Sequence, residues 1–414
     1  MIRIDLDKWE EILITITRNK TRSLLTAFGV FWGIFMLIAL MGGAKGLEEM
    51  MAVNFKGFAT NSAIFGTNRT SIAYKGFQKG RSWDLELNDI NKIKKQVYEV
   101  DVVTPTVSNW GSKAIYEDKS SDCVIKGLYP EYEKIESQGI TMGRFINDVD
   151  VRDRRKVCTI GKKIYEQLFP NKENPLGKFI RVDGIYYQII GMSQSVGKMS
   201  INGGIEQSIV LPITTMQQAY NRGRKVDLIC ITAKSGHTAT EVAEKVEAVI
   251  KQSHYIHPDD KQAVMMVNTE AMFGMVDNLF AGMKLLSWMV GLGTLLAGAI
   301  GVSNIMMVTV RERTSEIGIR RAIGARPKDI LSQILSESMV LTTTAGMFGI
   351  CFGVLILQML EIGTAQSDTP GEFQISFWAA IGACALLMVL GMLAGLLPAY
   401  RAMGIKPIDA IRDE

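Results

Sequence analysis

The sequence predicts a membrane protein of four transmembrane α-helices, with a large extracytoplasmic mixed α/β domain inserted between the first and second. Three observations carry this. Four charge-free apolar runs, Ser23–Gly43, Leu285–Val310, Ser338–Leu360 and Ile375–Tyr400, each match the ~20 residues that cross a bilayer as a helix. Residues 44–271 between the first two runs have short strand-like and helix-like patterns instead. Lys and Arg cluster beside the runs on alternate sides, as the positive-inside rule requires. The mean hydropathy of +0.14 over 414 residues averages over this partition. The net charge of +4 is mild and forms no nucleic-acid-binding stripe.

Residues 1–22 place Ile4, Trp9, Ile12, Leu13 and Ile16 near one face of a helix, predicting an amphipathic helix on the cytoplasmic side of the membrane, in contact with lipid. Arg18, Lys20 and Arg22 hold that end inside. The first span is expected at 23–43. A signal peptide is the rival reading, but the run is long for one and an amphipathic helix precedes it. Gly29 and Gly33 form a GxxxG pair suited to close helix packing.

In 44–271, strands are predicted at Val100–Val107, Ser121–Leu128, Val157–Ile160, Phe179–Val182, Tyr186–Gly191, Ser208–Leu211 and Leu228–Ala233. Helices interleave at Asn88–Tyr98, Lys162–Phe169, Thr214–Tyr220 and Thr238–Ser253, enough for two α/β subdomains. Catalytic patterns are absent from the sequence: no Gly-x-Ser-x-Gly, no His-Glu-x-x-His and no phosphate-binding Gly-x-x-x-x-Gly-Lys-Ser/Thr. His254 and His257 have metal-ligand spacing, but no second cluster completes a site, so they read as surface loop with no metal. Cys123, Cys158 and Cys230 lie in strand-like contexts and read as buried thiols.

A second span, with a stalk above it, is expected over 272–310, about 58 Å of helix at 1.5 Å per residue. Gly293, Ala297 and Gly301 recur every fourth residue as a ridge for a partner helix, either of this chain or of a second copy. Residues 311–330 are a basic island with Arg311, Arg313, Arg320, Arg321, Arg326 and Lys328. Ile317, Ile319, Ala322 and Ile323 are spaced to share one apolar stripe. On pattern alone this fits a helix lying on headgroups as well as it fits a docking element. The third span is expected at 335–360, a short external loop at 361–374, the fourth span at 375–400 and a cytoplasmic tail at 401–414. No ionisable residue stands in the central part of any run, whereas solute and proton pathways use such groups. Polar residues such as Ser303, Asn304 and Thr342–Thr344 are expected to bond to neighbouring helices.

The island reads R-x-R-x-x-E-I-G-x-x-R-A-x-G-A through Arg311, Arg313, Glu316, Ile317, Gly318, Arg321, Ala322, Gly324 and Ala325. Gly161, Leu168-Phe169, Pro175, Gly177-Lys178 and Ile189–Gly191 form a second motif, and Pro398-Ala399, Ala402, Pro407, Ala410 and Arg412 a third. With the order of one span, a large domain and three spans, the chain resembles the MacB/FtsX/LolCE class of ABC-transporter permeases, most closely its MacB branch. The resemblance implies that the nine island residues contact a separate ABC ATPase subunit, which holds ATP and Mg; this chain would carry no cofactor and no catalytic residue. It also implies a porter-like subdomain with a smaller inserted one, and pairing of two permease chains as a homodimer in the inner membrane. ATP-driven movement would pass to the outside without cargo crossing the spans, for efflux of drugs, peptides or toxins. Gram-negative members add a periplasmic adaptor and an outer-membrane channel. Lipoprotein release, control of cell-wall hydrolases and, outside the class, a membrane-anchored sensor are the alternatives. MacB itself carries its ATPase at the N-terminus, whereas this chain begins about 22 residues before the first run and is expected to borrow one.

Overall fold

The computed structural model describes residues 20–366 and 371–404. The chain divides into an α/β unit, Ala52–Asn278, and a helical unit made of what precedes and follows it. The amphipathic helix expected over 1–22 and the closing-motif residues Pro407, Ala410 and Arg412 lie outside the described residues.

Among the described residues, four helices are long and apolar enough to cross a membrane: Lys20–Phe55, Thr269–Glu312, Pro327–Thr364 and Phe377–Met403. All four run past the predicted spans at one end or both, the fourth only at its C-terminal end. The first continues twelve residues past Gly43, because the segment after it has helix-forming residues and a Lys45–Glu49 ion pair at i,i+4. Gly42 does not break it; it makes room for Leu357, whose Cδ1 would stand 2.3 Å from an added Cβ. The second helix is 44 residues, about 66 Å. The third begins at Pro327 rather than near 335, with Pro at its first position and Asp329 accepting from the Arg326 amide at 3.1 Å.

Small residues determine how these helices meet. A Cβ on Gly33 would lie 3.2 Å from the Leu295 nitrogen, and one on Gly29 3.5 Å from the Gly298 Cα, so this pair packs within the chain on the second helix. Gly349 approaches Phe31 O on the other side of the first helix. Ile34, Leu37, Leu295, Val302, Leu357 and Leu387 fill the core between. Leu286, Met289, Phe348 and Leu393 remain exposed, as suits lipid-facing positions. The threonines are satisfied differently from the expectation: Thr342 and Thr344 donate to Ser338 O and Val340 O of their own preceding turn, while Ser338 bonds across to Gly391 O at 2.9 Å.

The α/β unit is built on strands β1 (Ser62–Thr67), β2 (Leu85–Glu86), β3 (Val100–Tyr116), β4 (Lys119–Leu128), β5 (Ile140–Gly143) and β6 (Val157–Gly161). The remainder are β7 (Phe179–Val182), β8 (Ile185–Ser193), β9 (Ser208–Pro212), β10 (Lys225–Val226), β11 (Leu228–Ala233) and β12 (Val264–Asn268). Ten of them form one sheet, nine along the path β12-β1-β11-β3-β4-β9-β6-β8-β5 and β7 off it, paired with β3 and β8. β3 belongs to two halves. Its first part pairs with β11, ending at Thr106 opposite Leu228, and its second pairs with β4 from Val107 opposite Gly127. Helices Leu87–Gln96 and Ala239–Ser253 contribute Ile90, Ile93, Val242 and Val246 to the core of the first half. The inserted half, residues 107–227, is no smaller than the half it interrupts, contrary to the expectation from the resemblance.

His254 and His257 lie in a partly exposed turn after the helix ending at Ser253, as expected, and both have partners there. His254 Nε2 lies 2.7 Å from the buried Asp89 carboxylate, and its ring packs on Trp83; His257 lies edge-on to Tyr74. The buried Asp260 accepts from the Ser71 hydroxyl and amide at 2.7 Å and from the Ile72, Gln262 and Ala263 amides at 3.1 Å. Burial pushes its pKa up, but these bonds outweigh burial and bring it down to about 2. Cys123, Cys158 and Cys230 are buried thiols, and burial raises the Cys123 thiol to about 12.

Candidate functional site

The basic island folds as a short helix, Thr314–Ala322, set between two long ones. Only Arg313 separates it from the end of the second long helix at Glu312, and the backbone bonds continue across the junction: Arg313 N to Thr309 O and Ile317 N to Arg313 O. Thr314 turns its hydroxyl back onto Arg311 O at 2.7 Å. Gly324, at φ +112°, ends the helix. Its amide reaches Arg321 O, and the Ala325 amide reaches Arg320 O, the two bonds of a Schellman turn. Gly324 therefore stops the helix, and Gly318 is the glycine that is buried in packing. The predicted single helix over 311–330 is broken here because residues 327–330 already form the first turn of the third long helix.

The inner face is tied down by charge. Arg313 lies 3.2 Å from Glu337 and 3.3 Å from Glu316; Arg320 lies 3.0 Å from Glu316 and donates to Gln333 at 3.1 Å. Arg321 donates to Met403 O at 2.8 Å, at the end of the fourth long helix. Ile317 packs toward the helical core. The outer face is different: Ile319 is 49% and Ile323 82% exposed, with Ala322, Gly324, Arg311, Arg326 and Lys328 exposed around them. The predicted four-residue stripe is thus divided, since Ile317 turns inward while Ile319, Ala322 and Ile323 face out. Of the nine motif residues, Arg313, Glu316, Ile317, Gly318 and Arg321 hold the helix in place. Arg311, Ala322 and Gly324 lie on its open side, and Ala325 is half-buried in the turn.

Sequence reasoning missed Glu337, Gln333 and Arg320 as members of this network. Glu337 carried a signal: it directly precedes the third apolar run on its cytoplasmic side, and a carboxylate at that depth needs a cation. On the second long helix the other candidates separate cleanly. Gly298, Leu295 and Gly291 face the first helix, while Gly293 and Gly301 have nothing within 4 Å of an added Cβ and Ala297 is exposed.

Residues 23–249 match the model of the MacB-like periplasmic core domain, and residues 288–407 match that of the FtsX-like permease C-terminal domain. The chain belongs to the MacB-like permease family. It is 27% identical over 405 residues to the macrolide export ATP-binding/permease protein MacB of Bdellovibrio bacteriovorus, covering 97% of this chain and 60% of the relative. The MacB of Mannheimia succiniciproducens is 29% identical over 403 residues, covering 96% and 60%. The pyoverdine export ATP-binding/permease protein PvdT of Pseudomonas syringae pv. tomato is 26% identical over 398 residues, covering 96% and 58%. This MacB-like chain therefore spans about 60% of the length of the curated relatives it matches. The periplasmic region of MacB from Actinobacillus actinomycetemcomitans aligns with a TM-score of 0.43 at 19% identity, over 54% of this chain and 96% of that one. The extracellular domain of the transporter YknZ aligns with a TM-score of 0.41 at 18% identity, over 50% of this chain and all of that one. The protein is a multi-pass membrane protein with an extracytoplasmic α/β domain.

Proposed function

We propose that this chain is the permease of an ABC transporter that converts ATP binding and hydrolysis inside the cell into movement of its external domain. The observation that carries the reading is the two-sided short helix, fastened inward by ions and open outward with Ile319 and Ile323 inside a basic rim. A lipid-facing helix has no need of such rigid fastening, whereas a lever seated on another protein does. The partner is an ABC ATPase outside these 414 residues, holding the ATP and Mg, since the sequence contains no phosphate-binding loop. The chain then has a non-catalytic role. Both chain ends lie in the cytoplasm and the spans in the inner membrane, as the basic flanks require. The open ridge of Gly293, Ala297 and Gly301 suits a second copy, giving a homodimer. Relatives named for macrolide and pyoverdine export support efflux of drugs, peptides or toxins as the process driven, with an adaptor and outer-membrane channel as further partners.

The test is co-purification and stimulated ATPase activity of Glu316→Lys and Gly324→Trp. Both variants are expected to insert normally but to lose the ATPase or its coupling. Full stimulation and export from both would remove the short helix from the mechanism. Recovery of the ATPase together with a second, different permease would favour lipoprotein release over efflux.

A further inference from the structure

The first long helix ends at Phe55, and the last-turn carbonyls of a helix have no partner within it. One of them is taken from a distance in sequence: the amides of Lys198 and Met199 both donate to Asn54 O at 2.9 Å. They belong to residues 194–204, the segment that leaves β8 in the inserted half and returns toward β9. The approach is so close that Gly197 has no room for a side chain, since its Cβ would stand 2.5 Å from Lys56 O and 2.8 Å from Asn54 O. Val196 lies against Gly57, the φ +83° residue that turns the chain out of the helix.

The other end of this segment is held from inside the fold. Lys126 on β4 is 1% exposed. Its ammonium donates to Ile201 O at 2.7 Å and Gly203 O at 2.6 Å, with Ser200 Oγ at 3.5 Å. Ser200 in turn donates to the buried Glu136 at 2.5 Å, which also accepts from Tyr132 at 2.7 Å. A buried ammonium is an expensive way to fill space, and an apolar side chain of similar volume often does so at lower cost. What the ammonium does that an apolar chain cannot is grip two carbonyls of a loop.

We propose that residues 194–204 are a strap that carries displacement of the first helix into the inserted half of the external domain, with Lys126 as the positioning residue that fixes the strap to β4. The proposal rests on the transmission reading above. Covalently, the first helix leads through residues 56–61 into β1, which belongs to the other half. The second long helix is anchored to that same half, since the Thr269 hydroxyl donates to Ser62 O at 2.5 Å. Residues 57–59, just beyond the helix, also bond to the inserted half, Ala59 N to Ile135 O and Ser137 N to Gly57 O at 2.8 Å, but the strap is what holds a carbonyl of the helix's own last turn. With it, the first helix pulls on both halves.

The experiment is hydrogen exchange on the full chain in nanodiscs with its co-purified ATPase, with and without ATP and Mg, for wild type and Lys126→Met. In wild type the Lys198 and Met199 amides are protected, and ATP changes exchange in β4 and β9. In Lys126→Met those two amides exchange faster by about tenfold or more, β11 is unaffected, and the ATP-dependent change in β4 and β9 is lost. Unaltered protection of residues 198 and 199 in the variant overturns the strap. An ATP response of wild-type size in β4 and β9 of the variant overturns it too, while leaving transmission itself intact. Release of the strap in the variant, with no ATP response anywhere in the wild-type external domain, shows instead that the transmission reading has failed and that the strap is a static brace. Should Lys126→Met unfold the inserted half, Gly197→Val, which leaves the buried network in place, answers the same question.

Discussion

Neutralising Glu337 tests how the short basic helix is seated. The carboxylate is 4% exposed, 3.2 Å from Arg313, and Arg313 is itself largely buried. Glu316 lies 3.3 Å from Arg313 and 3.0 Å from Arg320, so Arg313 is shared between two carboxylates. Glu337→Gln keeps the shape and removes one of the two carboxylates beside Arg313. At an effective dielectric constant of about 20, a pair at this distance attracts by roughly 5 kcal/mol, most of which desolvation offsets. Removing one partner of a fully buried pair costs about 3–5 kcal/mol. Arg313 retains Glu316 and some solvent, which lowers the expected cost to about 2 kcal/mol, roughly thirtyfold in the equilibrium between seated and released helix. The assay is a double-mutant cycle of Arg313→Gln and Glu337→Gln, read by hydrogen exchange of the amides of residues 317–322 and by ATPase stimulation in the same preparations. Each single change speeds exchange and lowers stimulation, and the double change falls short of their sum by about 1 kcal/mol. Strict additivity, or unchanged exchange in both single variants, would show that the Schellman turn and Ile317 hold the helix without the ion pair.

Three further outcomes are expected. Asp260→Asn destabilises the external domain by about 2 kcal/mol at neutral pH, because a carboxyl titrating at about 2 instead of near 3.9 stabilises the fold at every pH above the unfolded value. That contribution disappears as pH falls from about 4 toward 2, so wild type and variant converge in acid; thermal unfolding across that range checks it. On the second long helix, Gly298→Val forces a Cβ to within 3.0 Å of Gly29 O and costs about 1–3 kcal/mol of helix packing. Gly293→Val meets nothing within 4 Å, so it leaves the monomer intact and weakens self-association, as crosslinking in membranes would report.

The long apolar runs were legible because a bilayer-length segment without charge has few other uses, and the sheet interior because continuous apolar strands such as Leu228–Ala233 are buried on both faces. Strand limits at Phe179–Val182 agree with the structure, since turn residues bracket them. β12 was not legible: Val264–Asn268 has three exposed residues in a row and no alternation, because only its pairing with β1 makes it a strand. Helix ends were missed for a similar reason. Hydropathy marks where lipid begins, not where backbone bonding stops, so the first helix ran on to Phe55 and the third started at Pro327. At the candidate site the motif residues were visible by type, but their division into fastened and open faces depends on Glu337, Gln333 and the Met403 carbonyl, which lie outside the island.

The inserted half enters and leaves the sheet at a single point: Thr106 and Leu228 are paired across β3 and β11, and the Asp227 amide donates to Thr106 O at 2.9 Å. A segment whose two ends are hydrogen-bonded neighbours is interchangeable as a unit. It can be shortened, enlarged or exchanged between relatives without altering the register of the half that remains, as domain insertions are tolerated where chain ends meet. Diversity in what the outer surface recognises can then accumulate on one side of that junction, while the helices and their fastenings stay constant on the other. An exchange has further conditions to meet: the incoming half must bring its own grip on the end of the first helix, and its own partners for residues 57–59 and for β2.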